Sequence, residues 1–203
     1  MKNLLLTVIF LFISILAIAQ KEINTEFATK MNLAFQPLEK NRVPFGLLKD
    51  QAFEFTELAA YNGVVTDTNY VTPVTIKQIY NTLLSARIHD NASQFIQPDV
   101  YEQRWQANRT QGVITLSGLL FNYAQFKTDA VTSGKLQVIN NQFVDKYIGG
   151  TWQNPYDTKQ TFAIAPSVRK YKGYTFSIKI PSNLWLTNVT ETIQSIQIDA
   201  NDG

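Results

Sequence analysis

Val113-Ile114-Thr115-Leu116-Ser117-Gly118-Leu119-Leu120-Phe121-Asn122-Tyr123 decides the fold class. The stretch is rich in β-branched and aromatic side chains, which fit a pleated surface. Leu116 to Phe121 is nearly continuous in apolar character, the pattern of a strand covered on both faces. Downstream, Tyr174, Phe176, Ile178 and Ile180 alternate with Thr175, Ser177 and Lys179, which predicts a strand with one buried and one wet face. Between the two, Leu136, Val138 and Phe143 flank Asn140-Asn141, a pair that tolerates the positive φ of a tight hairpin turn. Gly149-Gly150 and Asn154-Pro155 are further breaks, and Pro181-Ser182-Asn183 turns the chain into Leu184-Trp185-Leu186. Ile193 to Asp199 reads as a last strand.

Before Gly112 the period is helical. Ile76, Ile79, Tyr80, Leu83 and Leu84 form one apolar stripe after Thr72-Pro73, with Thr72 or Thr75 placed to cap it. A second helix is expected from Pro98, carrying Val100, Tyr101 and Trp105 on one face and ending near Gly112. Val43-Pro44-Phe45-Gly46-Leu47-Leu48 suggests a turn into a short strand. Phe53, Phe55 and Leu58 then lead to a turn at Tyr61-Asn62-Gly63.

The N-terminus carries an export signal. Met1-Lys2-Asn3 is followed by an apolar run from Leu4 to Ala19, broken only by Thr7 and Ser14, that ends in Ala17-Ile18-Ala19. Small side chains at that spacing suit a signal peptidase, and the run is shorter than the ~20 residues of a spanning helix. Cleavage after Ala19 makes Gln20 the first residue of the mature chain. The organisation expected is therefore a signal peptide at 1–19, an extended lead-in at 20–42, a mixed part with two helices at 43–111, and an antiparallel β part at 112–203 that reads as truncated at its C-terminus. The class is α+β, β-dominated: a short helical N-terminal part followed by an antiparallel β-sandwich-like part.

Composition excludes several function classes. Lys2 is the only charge lost with the signal, so the mature chain holds 17 basic and 16 acidic residues. That balance gives no reason to expect nucleic acid. The nearest basic cluster, Arg169, Lys170 and Lys172 interleaved with Tyr171 and Tyr174, reads as a solvated turn before a strand. No stretch after the signal approaches membrane-spanning length. There is no cysteine, so neither a disulfide nor a lipid-bearing thiol is available, and an apolar core must hold the fold.

Catalytic constellations are equally sparse. His89 is the only histidine, where zinc sites take two or more His or Cys ligands. His89-Asp90 follows the first helix and suits its C-terminal end. No serine sits in a Gly-x-Ser-x-Gly elbow; Ser117-Gly118 comes nearest, inside a buried-looking strand. Glu54, Glu57, Asp99 and Glu102 could supply a glycosidase pair, yet nothing brings any two together. Asp199-Ala200-Asn201-Asp202-Gly203 is oxygen-rich but lacks the distal Glu of a calcium loop. No catalytic residue, metal site or cofactor is expected. Trp105, Trp152 and Trp185 could stack on sugar rings, but Trp105 and Trp185 read as core. Trp152, with Tyr156 beside it, is left as the candidate ligand-binding pair.

Ile196-Gln197-Ile198-Asp199-Ala200-Asn201-Asp202-Gly203 resembles the strand-and-turn of PKD-like β-sandwich modules in surface proteins, with Ala200-Asn201 in place of the usual Phe-Gly. Val43 to Leu48, Gly118 to Tyr123, Phe162 to Ser167 and Pro181 to Leu186 are similar to the N-terminal region of long exported bacterial proteins, some with an esterase- or lipase-like α/β-hydrolase domain downstream. The resemblance implies a module of an exported protein in the periplasm, on the cell surface or secreted. Three functions are then expected in turn: non-catalytic scaffolding or binding, carbohydrate binding through exposed aromatics, or an accessory region of a hydrolase whose catalytic domain lies beyond Gly203. A polysaccharide or another cell-surface protein is the expected partner.

Overall fold

A computed structural model describes residues 26–44, 56–88, 95–168, 170–190 and 195. The expected export signal at 1–19, residues 45–48 of the Val43–Leu48 stretch, Phe53, Glu54, Phe55, His89-Asp90, Arg169 and the 196–203 ending lie outside that description. So does all of the expected strand Ile193–Asp199 except Ser195.

The architecture is α+β and β-dominated, with helices first and strands after. Residues 26–35 form α1, Pro73–Ser85 form α2 and Pro98–Ala107 form α3. The strands are β1 (Val113–Phe126), β2 (Leu136–Ile139), β3 (Gln142–Asp145), β4 (Tyr147–Ile148), β5 (Thr151–Trp152), β6 (Tyr156–Pro166), β7 (Ser177–Lys179) and β8 (Trp185–Thr187). The chain divides into two compact units that do not follow the expected 43–111 and 112–203 parts. One comprises Met1–Glu57, Asn81–Asp90 and Tyr123–Thr158, the other Leu58–Tyr80, Asn91–Asn122 and Lys159–Gly203.

In the first unit, α1 corrects the expected extended lead-in at 20–42. Met31, Ala34, Phe35 and Leu38 make a short apolar stripe that packs on Phe126, Ala130, Leu136 and Phe143. Phe35 lies 5.3 Å from Phe143 and 6.2 Å from Phe126 between ring centroids. Only Met31, Ala34 and Phe35 of this stripe lie within the helix, little more than one turn and too little to show as periodicity, and a helix this short is stabilised by its packing partners. Pro37 also disfavours helical geometry at Gln36, so α1 stops there. The β2–β3 hairpin turns through Asn140 and Asn141 at φ 52° and 61°, as their sequence predicts. Gly149 and Gly150, at φ 55° and 79°, close β4 onto β5 in the same way.

In the second unit, α2 is capped by Thr72, whose Oγ1 accepts from the Thr75 amide at 3.1 Å. Its stripe is buried at Ile76, Ile79 and Tyr80. Pro98 opens α3, which ends at Ala107, earlier than expected. Asn108 caps it, and Gly112 at φ 74° redirects the chain into β1. Tyr80, Tyr101, Trp105 and Phe121 form the aromatic core, with Tyr80 5.0 Å from Tyr101 and 6.1 Å from Phe121. Full burial of such a side chain contributes roughly 1.5–3 kcal/mol.

The sheet is mixed. β6 runs antiparallel to β1, since the Ser167 amide donates to Thr115 O while the Lys127 amide donates to Pro155 O. Along the other edge of β1, β7 and β8 follow one another in parallel, Val113 opposite Ser177 and Gly118 opposite Trp185. That edge uses eight residues where β1 uses five. Pro181, which has no amide hydrogen for the ladder, and the 3-10 turn Ser182–Leu184 take up the difference.

The Tyr174–Ile180 expectation needs correction. Only Ser177–Lys179 is strand, and the side expected to be buried is open: Tyr174 is fully exposed (relative accessibility 108%), Phe176 46% and Ile178 36%. β7 is an edge strand that meets β1 over three residues, and just before it the Tyr171 ring packs beside Phe176. Among the described residues, too, no helix is long and apolar enough to cross a membrane.

Candidate functional site

The expected ligand-binding pair belongs to the first unit, where β5 delivers Trp152 and β6 begins with Tyr156. Trp152 is half-buried, and its Nε1 donates to Asp145 Oδ1 at 2.7 Å. The other oxygen of Asp145 accepts from the Glu39 amide at 2.8 Å. Arg42 lies over the indole, 4.6 Å from its centroid, and its Nε pairs with Glu39 Oε2 at 3.2 Å. Tyr147 also donates to that carboxylate, at 3.4 Å. The residues from Glu39 to Arg42 are thus fastened to the β3–β5 strands through two carboxylates, Asp145 and Glu39, and one stacked guanidinium. A cation over a tryptophan face contributes about 0.5–2 kcal/mol.

This geometry spends the tryptophan on the fold. One face is taken by Arg42 and the ring nitrogen by Asp145, so little remains for a sugar ring. Tyr156 is buried, its ring 4.5 Å from that of Phe126. Its hydroxyl has no hydrogen-bond partner among the described residues. Burial, with the Asp145 charge a smaller contributor, pushes that hydroxyl well above the usual tyrosine range. Of the candidate pair, Trp152 is reachable in part and Tyr156 is a core residue.

The second unit settles the near-elbow at Ser117-Gly118. Ser117 is fully buried and donates to Leu184 O at 2.7 Å, which leaves its Oγ to accept from the Tyr101 hydroxyl at 2.7 Å. That serine ties α3, β1 and the Ser182–Leu184 turn together. Burial pushes the Tyr101 hydroxyl up, against the opposing pull of the Ser117 hydrogen bond. Gly118 is required by packing: a Cβ there would lie 2.1 Å from Cζ3 of Trp185 on the paired strand. Neither residue is presented as a nucleophile must be.

Of the carboxylates considered for acid–base chemistry, Asp99 and Glu102 both lie on α3 and Glu57 lies outside any helix or strand. Glu102 is held by Lys77 and accepts from Gln106 Nε2 at 2.6 Å. The Lys77 hydrogen bond, reinforced by that of Gln106, keeps its carboxyl below the usual range, opposite to what a general acid requires. Asp99 occupies the first turn of α3, where a negative charge complements the helix dipole. Glu57 is exposed. Among the described residues no group of three or more His, Cys, Asp or Glu side chains could hold a metal ion.

Sequence reasoning read Lys170, Tyr171, Lys172 and Tyr174 as a solvated turn, and the structure has them exposed; it missed that Phe176 and Ile178 are exposed as well. Lys170, Lys172, Tyr174 and Lys179 are exposed, and the Tyr171 hydroxyl folds the turn by donating to Thr175 O at 2.8 Å. The rings of Tyr171 and Phe176 lie 5.6 Å apart. The signal was the alternation itself, which marks apolar residues without saying whether another layer covers them. No family model matches the chain, and no curated protein or solved structure matches it.

Proposed function

We propose that this chain is a non-catalytic, β-rich module of an exported protein and works by presenting a binding surface. The observation that carries the reading is the exposure of Tyr174, Phe176 and Ile178 on and just before the edge strand, in a unit that buries Tyr80, Tyr101, Trp105 and Phe121. Exposed contiguous aromatic surface marks interaction sites in soluble proteins. Two further features agree. The polar groups that might have done chemistry, Ser117 with Tyr101 and Asp145 with Trp152, are engaged in holding elements together. The apolar run with Ala17-Ile18-Ala19 supports export.

Carbohydrate binding through Trp152 and Tyr156 gains no such support, because one residue is stacked by Arg42 and the other is buried. The test is to express the whole chain with its leader, collect the exported product and sequence its N-terminus. A chain beginning at Gln20 and inert toward ester and glycoside substrates is expected. Retention of Met1 inside the cell, or hydrolysis lost on Ser117→Ala, would overturn the proposal. Sequencing the gene past codon 203 tests the accessory-region alternative, which requires an open frame encoding a nucleophile elbow.

A further inference from the structure

We infer that the 170–179 segment seats the protein on an anionic lipid surface. This rests on the reading of the chain as a binding module and names the partner of that surface. The aromatic and aliphatic side chains Tyr171, Tyr174, Phe176 and Ile178 are interleaved with Lys170, Lys172 and Lys179. Lys179 Nζ reaches Asn108 Oδ1 at 3.3 Å, and the Ser177 amide donates to Gly112 O at 3.1 Å. Those two bonds fasten the segment to the 108–112 turn.

The segments themselves carry charge of one sign. No Asp or Glu occurs between Gln103 and Thr128, or between Thr158 and Thr190, although the whole chain is nearly balanced at +2. The cations around Tyr174 therefore have no acidic residue on their own segments. Aromatic rings at the tip with lysines around them fit the bilayer boundary, where amphipathic rings settle at headgroup depth and ammonium groups meet lipid phosphates. A protein partner is a poorer match, because the centres of protein interfaces are depleted in lysine. A nucleic acid would call for a larger cationic footprint than this nearly neutral chain carries.

The experiment is co-sedimentation of the exported chain with vesicles of phosphatidylglycerol and phosphatidylcholine, against phosphatidylcholine alone. Binding to the anionic vesicles, weakened by salt, is expected. Lys170→Gln and Lys172→Gln each lower the partition coefficient about fivefold. Tyr174→Ser with Phe176→Ser abolishes the part that persists in high salt. All four positions lie on the surface, and circular dichroism of the variants checks that the fold is kept. Equal binding to neutral vesicles, indifference to the lysine substitutions, or equally tight binding to soluble heparin that ignores the aromatic substitutions would each overturn the inference. Absent vesicle binding in a chain inert toward ester and glycoside substrates removes the lipid partner alone. Hydrolysis removes the non-catalytic reading whichever way the vesicles behave.

Discussion

Replacing Gly118 by Ala should destabilise the fold through one identifiable collision. Gly118 is buried in β1 opposite Trp185 of β8, and the indole lies directly over it. A Cβ at this position would stand 2.1, 2.4 and 2.8 Å from Cζ3, Cε3 and Cη2 of the ring. Carbon atoms settle at about 3.5–4.0 Å, so the ring must retreat by roughly 1.5 Å. Its freedom to do so is limited by the ladder that fixes its backbone and by Phe162, whose ring centroid is 6.1 Å away. Overpacking of this kind costs about 1–3 kcal/mol, while alanine recovers about 0.5–1 kcal/mol of the entropy that glycine loses in a strand. At the middle of these ranges the net loss is about 1 kcal/mol, or ~2–4 °C in melting temperature for a chain of this size. Urea and thermal unfolding of G118A measure it. Adding Trp185→Leu should recover part of the loss, so the double variant costs less than the two single changes together. A G118A chain as stable as the parent, or strict additivity with the Trp185 change, refutes the reasoning.

Tyr156→Phe should leave stability unchanged or raise it by up to about 1–3 kcal/mol, because it deletes a buried hydroxyl without a partner. Loss of stability in urea titration would mean that the hydroxyl is bonded. Asn141→Val should cost about 1–2 kcal/mol, since a β-branched residue resists φ of 61°; a neutral change would show that the hairpin turns differently. At high pH, Tyr101 and Tyr156 both ionise less readily in the folded chain than in the unfolded one. Below about pH 10 neither state releases the proton, and above it the unfolded chain does so first, so stability falls as pH rises. Denaturant midpoints across that range should show the fall, and Y156F should blunt it. At low pH the sign reverses for Glu102, whose lowered value gives a contribution present above the ordinary carboxylate range and lost as pH falls. Glu102→Gln should flatten the acid limb, and an unchanged limb would argue against the Lys77 pair.

What the sequence made legible was local. The α2 stripe, Pro98 at the head of α3, the apolar density of β1 and the Asn140-Asn141 turn are each encoded within a dozen residues. The elements it concealed depend on distant partners. α1 is helical because Met31 and Phe35 meet Phe126 and Phe143, some ninety or more positions along the chain. Trp152 looked available because nothing nearby in sequence announces that Arg42 will cover it. Alternation in Tyr174–Ile180 correctly marked extended backbone at its centre. It carried no information on layering, and an edge position left the apolar side open. The parallel run of β7 and β8 beside β1 likewise follows from Pro181 and the 3-10 turn acting on a shared edge, a long-range outcome.

The openness of that edge is most directly measured by tyrosine nitration of the purified chain, read residue by residue by mass spectrometry. Tyr174 should modify rapidly while Tyr101 and Tyr156 remain protected until the chain is unfolded. A Tyr174 as slow as the two core tyrosines would mean that its face is already covered in the free protein and is not a surface offered to a partner.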